Sequence, residues 1–245
     1  MDILAWPSPN FGVRRHGRGP ELVVLHHTAM HDAKAALSRL CDPGAEVSAH
    51  YLICPLGRIY QLVDERLRAW HAGAGGWGRT RDVNSHSIGI ELANAGPLAG
   101  FPPYGAAQMD ALEELLADIL SRHGIPPCGV IGHSDMAPGR KRDPGAKFDW
   151  RRLALRGISI WPDPGEDETP EEAGFLAAAE RFGYVPPESA ISDDKTWLQH
   201  VLAAFRLRFR PLHKGPLDGT DMAMMRELAE RYPCRIGLDP ETPTS

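Results

Sequence analysis

The chain has 245 residues, with 27 Lys and Arg against 32 Asp and Glu for a formal net charge of −5, and 42% of its residues are hydrophobic. That apolar share excludes a disordered or fibrous chain; no run approaches the roughly 18–20 apolar residues of a membrane helix, and a mildly acidic chain is not expected to bind nucleic acid. The 25 glycines and 22 prolines are spread along the chain and indicate a loop-rich globular fold, while Cys41, Cys54, Cys128 and Cys234 lack paired spacing and read as separate buried thiols in a reducing compartment.

Glu21 to Leu25 is a short β-rich run after Gly19-Pro20 and reads as a buried strand ending at His26. Ala33 to Leu40 has helical spacing and stops before Asp42-Pro43-Gly44. Tyr51 to Cys54 and Arg58 to Val63, joined by Pro55-Leu56-Gly57, form an expected hairpin, and Ser87 to Leu92 alternates as a strand does. Met109, Leu112, Leu115, Leu116, Ile119 and Leu120 mark one face of a long helix that Gly124 and Pro126-Pro127 terminate. Gly129 to Gly132 is a further strand, ending at His133. Strands interleaved with helices imply an α/β layer architecture.

The Pro- and acid-rich tract from Trp161 to Glu168 reads as a linker. Thr169-Pro170-Glu171-Glu172 then has the pattern of an N-cap, a first-turn proline and a capping glutamate, so a helix is expected from there to Gly183. Trp197, Val201, Phe205 and Phe209 lie four apart on a second helix, as core and not as a glycan platform, and Met222 to Tyr232 makes a third. The expected division is an α/β domain over 1–161, a linker over 162–170 and a helical domain over 171–245.

Three expected strands end in reactive groups: His26, Glu91 and His133. Sites in α/β sheets gather at such ends, and two imidazoles with one carboxylate, leaving a position open, is the usual make-up of a catalytic zinc site. Two aspartates compete for the third place. Asp135 would share a face with His133 if the strand continued, and Asp143 would reach it if the Pro/Gly-rich loop folds back. Gly132-His133-Ser134-Asp135-Met136 half-matches an esterase nucleophile elbow, but Met136 stands where that strained turn needs a small residue, so no serine nucleophile is expected.

Val24-Leu25-His26-His27-Thr28-Ala29, Ala69-Trp70-His71-Ala72-Gly73, Ser87-Ile88-Gly89-Ile90-Glu91 and the loop His133 to Gly145 followed by Phe148-Asp149-Trp150 resemble the zinc-dependent N-acetylmuramoyl-L-alanine amidases. That superfamily also holds T7-type phage lysozyme and the peptidoglycan recognition proteins. The similarity covers about residues 10–156; Phe205 to Pro211 and Gly215 to Gly219 are similar to the small helical peptidoglycan-binding-like domain of one branch.

The resemblance implies a central mixed β-sheet flanked by helices with a zinc site at one edge, plus a small C-terminal three-helix domain. It makes His26, His133 and Asp143 the ligands of one zinc ion, Glu91 the catalytic carboxylate and Lys141 the group facing the reacting carbonyl. Trp70, His71, Trp77 and Arg140 are expected to contact substrate; His50 is expected to be structural, although members carry a histidine there near the metal, and His27 has no assigned role. The implied reaction is hydrolysis of the amide between N-acetylmuramic acid, 1,6-anhydro forms included, and L-alanine, in cell-wall recycling. Muropeptides are then the partners. A non-catalytic muropeptide-binding protein is the rival reading, and such members lack the metal ligands present here. With no visible signal sequence and unpaired cysteines, a cytoplasmic location is expected, the alternative being an envelope lipoprotein whose signal has been removed.

Overall fold

The computed structural model describes residues 1–17, 19–188, 191 and 195–236. In chain order its elements are β1 (Ile3–Ala5), β2 (Phe11–Val13), β3 (Leu22–His27), α1 (Ala33–Leu40), β4 (Tyr51–Ile53), β5 (Ile59–Gln61), β6 (Leu67–Ala69), α2 (Val83–His86) and β7 (Ser87–Leu92). They continue with α3 (Ala106–His123), β8 (Val130–Gly132), α4 (His133–Met136), α5 (Trp150–Leu155), α6 (Glu172–Phe182), α7 (Trp197–Phe209) and α8 (Gly219–Arg231). Six strands form one mixed sheet in the order β1-β5-β4-β7-β3-β8, in which β4 and β5 are the antiparallel hairpin and the other neighbours run parallel. β2 and β6 make a separate antiparallel pair.

Period-two alternation along β3 explains how the layers are built. Leu22, Val23, Val24 and Leu25 are all fully buried, as a central parallel strand covered on both faces requires. Val23 and Leu25 face α3 and pack with Leu112, Leu115, Leu116 and Ile119. Leu22 and Val24 face the other way and join Phe175, Phe205, Phe209 and Met225 of the C-terminal helices in one cluster. The helical segment therefore supplies the covering layer for that end of the sheet, and one core holds side chains from both sides of residues 162–170. Further along the same face, α1 covers the sheet near β4 through Ala36, Leu37, Leu40 and Leu52. Between these two apolar patches the face is polar, and the site lies there.

The C-terminal end of α3 follows the expected stop, with Gly124 in the left-handed conformation at φ 64°. The start of α6 differs from expectation. The helix begins at Glu172, and the cap is Glu171, whose carboxylate accepts from the Ala173 and Gly174 amides. A charged carboxylate suits the positive end of the helix dipole, and Thr169-Pro170 precedes the helix without regular secondary structure. Residues 237–245 of the expected helical domain lie outside the described part.

Candidate metal centre

Register places the first two groups. β3 and β7 run parallel with His26 opposite Glu91, and both lie on the face away from α3. On the other side of β3, Leu25 pairs with Gly132, so His133 follows directly beside His26. The chain does not continue as a strand there. It turns into α4, which carries Asp135 away from the imidazoles: its Oδ2 accepts from the Gly132 amide at 2.8 Å and its Oδ1 from the Tyr184 hydroxyl at 2.9 Å. The loop does fold back, and the Ser134 amide donates to the Asp143 carbonyl at 2.9 Å. That bond brings the Asp143 carboxylate to the histidines and separates the two aspartates that spacing left open. Ser134 is itself buried in α4.

His26 Nδ1 and His133 Nδ1 are 2.9 Å apart, and Asp143 Oδ2 lies 3.1 Å and 2.9 Å from them. The hydrogen bonds behind the rings fix what faces the centre. His133 Nε2 is 2.9 Å from the Ala72 carbonyl, which can only accept, so Nε2 carries the proton and Nδ1 presents a lone pair. For His26 the chain is longer. Ser87 Oγ spends its single proton on the Val83 carbonyl at 2.6 Å, so it accepts from His71 Nε2 at 3.2 Å. His71 Nδ1 must then accept from His26 Nε2 at 3.0 Å, leaving a lone pair on His26 Nδ1. Burial, with the nearby His133, holds His26 down to about 4, and burial also holds His71 well below the usual imidazole range, so both rings are neutral near pH 7.

Two imidazole lone pairs and a carboxylate oxygen thus converge, which is repulsive unless a cation joins them. Their spacing also suits one: a tetrahedron with metal–ligand bonds of about 2.0–2.1 Å has edges of roughly 3.3 Å. Among the described residues these three form the one group of His, Cys, Asp and Glu side chains close enough to share an ion.

The centre opens into a cavity of about 400 Å3 that Glu91, Lys141, Trp70, His71 and Arg140 also line. Glu91 Oε2 is buried without a hydrogen-bond partner. Burial, and then the charge of Asp143, pushes the Glu91 carboxyl up to about 8, while Lys141 pulls the other way. A carboxylate with one buried, unpartnered oxygen and a raised pKa beside a cation site is suited to moving protons.

Of the expected substrate contacts, Trp77 is misplaced. It is 2% exposed and packs edge-on against Phe182 and Tyr184, and a Cβ on Gly183 would meet its ring at 2.4 Å. Trp77 is core, held by a helix end more than a hundred residues away. His71 lines the cavity, but both its ring nitrogens are committed inside the protein, so it orients His26 instead of reaching for substrate. Arg140 donates to the Ala72 carbonyl at 2.6 Å, the acceptor that also fixes His133. His50 is fully buried, accepts from the Gly89 amide and donates to the Leu67 carbonyl, and so is structural. Sequence reasoning missed the His71–Ser87–Val83 relay and the buried Arg14, which donates to the Glu65, Ser85 and Ser87 carbonyls beneath the site. A lone arginine in a loop carries no signal for such a role.

A family model described as N-acetylmuramoyl-L-alanine amidase matches residues 16–146. The chain is 38% identical to the N-acetylmuramoyl-L-alanine amidase AmiD of Escherichia coli, over 86% of this chain and 83% of that protein, a span long enough to enter the helical segment. Its fold is similar to that of AmiD solved with the substrate anhydro-N-acetylmuramic acid-L-Ala-D-gamma-Glu-L-Lys, with a TM-score of 0.76 at 37% identity over 89% of this chain and 92% of that one. It is also similar to AmpDh3 from Pseudomonas aeruginosa in complex with anhydromuramic pentapeptide, with a TM-score of 0.79 at 36% identity over 90% and 95%.

Proposed function

The chain belongs to the N-acetylmuramoyl-L-alanine amidase family, and from that premise we propose that it hydrolyses the amide joining N-acetylmuramic acid, 1,6-anhydro forms included, to the L-alanine of peptidoglycan stem peptides. The observation that carries the reading is the convergence of His26 Nδ1, His133 Nδ1 and Asp143 Oδ2 in one cavity with Glu91, whose buried Oε2 has no hydrogen-bond partner. A recycling role is supported by the anhydromuramyl compounds bound to AmiD and AmpDh3.

His26, His133 and Asp143 would hold zinc, which supplies Lewis acidity: it lowers the pKa of water and polarises a carbonyl. Glu91 accepts a proton from the attacking water as its oxygen bonds to the lactyl carbonyl carbon, and Lys141 faces the oxygen that becomes negative. When the C–N bond breaks, Glu91 returns the proton to the departing L-alanine nitrogen. The products are a lactyl carboxylate on the sugar and a free peptide amine. Proton transfer of this kind is typically worth 10²–10⁴-fold, and one oxyanion donor about 2.7–4 kcal/mol.

Incubation with the anhydromuramyl tripeptide that AmiD binds, followed by mass spectrometry, tests the reading. One peptide bearing a new N-terminal L-alanine is expected, with loss of turnover on chelation and recovery with zinc. Binding without cleavage, or full turnover by metal-free protein, would overturn it. The division into an amidase unit (1–161), a linker (162–170) and a peptidoglycan-binding-like helical unit (171–245) belongs to the same proposal. So does a cytoplasmic location, which the four free cysteines support and which fractionation of expressing cells tests; recovery in the envelope would overturn it. No helix of the described residues is long and apolar enough to cross a membrane.

A further inference from the structure

The segment from Trp70 to Gly73 follows β6 without regular secondary structure, yet it carries both groups that orient the histidine ligands. The His71 ring accepts from His26 Nε2, and the Ala72 carbonyl accepts from His133 Nε2. The β2–β6 pairing stops at Ala69, so the segment is not held by that ladder. Side chains hold its amides instead. The Trp70 amide donates to Ser48 Oγ at 2.9 Å, and the His71 and Ala72 amides both donate to one atom, Asn84 Oδ1, at 3.0 Å and 2.9 Å. Two successive amides aimed at a single oxygen make a concave nest, which favours an acceptor with partial or full negative charge.

Asn84 is 8% exposed and lies in α2 next to Val83, whose carbonyl ends the relay from His71 through Ser87. Arg14 fixes the same turn, donating to the Asn84, Ser85 and Ser87 carbonyls at 3.3 Å, 2.9 Å and 3.0 Å. α2 therefore grips His71 twice, by its amide and by its ring, and grips Ala72 by its amide. We infer that Asn84 is a positioning residue for the metal centre: its one side-chain oxygen holds in place the two groups that give His26 and His133 their tautomers. Without that oxygen two amides lose their acceptor, the segment relaxes, and neither imidazole is bound to turn its lone pair towards the ion. This inference rests on the zinc site of the proposed reaction and deepens it, tracing two ligands on different elements to a single side chain.

Zinc affinity of the full chain, read by competition with a chromogenic chelator, tests it. Asn84→Leu keeps the size of the side chain and removes the acceptor, so affinity is expected to fall on the order of 100-fold, as two outer partners are lost together. Asn84→Asp keeps an oxygen for both amides and is expected to bind zinc no more weakly than wild type. Gln108→Leu makes the same amide-to-alkyl change at another buried side chain, which donates to the Ile53 and Ala93 carbonyls, and is expected to leave zinc affinity unchanged. That control separates positioning from a general loss of stability. In a His71→Phe background, where the His26 branch is already cut, Asn84→Leu is still expected to cost roughly tenfold through Ala72 and His133. Wild-type affinity in Asn84→Leu, an equal fall in Asn84→Asp or Gln108→Leu, or no further fall in the double variant would overturn the inference. Should Asn84→Leu not fold, Asn84→Ser, whose hydroxyl is one bond shorter, is read against the same outcomes. Absence of zinc binding by the wild-type protein would instead strike the amidase reading.

Discussion

Arg208 donates through Nη1 to Asp135 Oδ2 at 2.9 Å, and the two side chains are 1% and 0% exposed. The pair ties α7 to α4 two residues beyond His133. Arg208 Nη2 also donates to the Val130 carbonyl at 2.8 Å, and the guanidinium lies 4.5 Å from the centre of the Trp150 ring. The C-terminal helices are thereby keyed into the strand and helix that carry a metal ligand. Removing one partner of a buried pair strands the other, at a typical cost of 3–5 kcal/mol. Arg208→Met is expected to destabilise the protein by about that much in urea denaturation, and Asp135→Asn in the same background should recover part of the loss. A change below about 1 kcal/mol for Arg208→Met would mean the pair carries no such weight.

Local signals made much of this fold legible. The apolar run of β3, the spacing along α3 and the glycine at 124 each act within a few residues, and each appears as read. What faced what was not legible. Phe175, Phe205 and Phe209 have core spacing on any helix, but only the folded chain shows that the core they join includes Leu22 and Val24 of the sheet. Trp77 follows Trp70 and His71 closely in sequence, yet its position depends on Gly183 and Phe182. The choice between Asp135 and Asp143 depended on whether the chain after Gly132 extends or coils. A three-residue strand followed by a four-residue helix gives no periodicity from which to decide.

The His71 relay predicts a metal-affinity effect without any change of ligand. His71→Phe keeps a ring of similar size but removes the acceptor for His26 Nε2, so His26 loses both its tautomer and its orientation. Zinc affinity should fall roughly 10–100-fold by competition with a chromogenic chelator. Gly89→Ala should act in the same direction, because a Cβ at that strand position would sit 2.5 Å from the His71 ring. Wild-type affinity in both variants would show that the relay does not set the ligand geometry.

Zinc should also stabilise the fold, since the three converging acceptors repel one another without it. At a free concentration of about 100 Kd the gain is about 2.7 kcal/mol, read as a rise in Tm on titration into chelated protein. Asp143→Ala should abolish most of that rise. A rise of equal size in the variant would place the stabilising ion elsewhere.

Glu91 ties catalysis and stability together with opposite signs. Its carboxyl is pushed from the ordinary 4.5 up to about 8, by burial first and by Asp143 second. A carboxyl raised on folding favours its protonated form in the native state, so its contribution is fully present below about 4.5 and is lost as pH rises through 8. Glu91→Gln mimics the protonated form at every pH. In metal-free protein the variant should therefore match wild type near pH 5 and exceed it near pH 9. The gap should be of order 1–3 kcal/mol, less than the full shift would give because the residue lines an open cavity. The same substitution removes the proton acceptor, so turnover with zinc should fall by 10²–10⁴-fold while the metal stays bound. Thermal melts in chelator at the two pH values read the first effect and product release reads the second. A stability gap independent of pH would show that Glu91 titrates normally in the folded chain, and retained turnover would assign the proton transfer to another group.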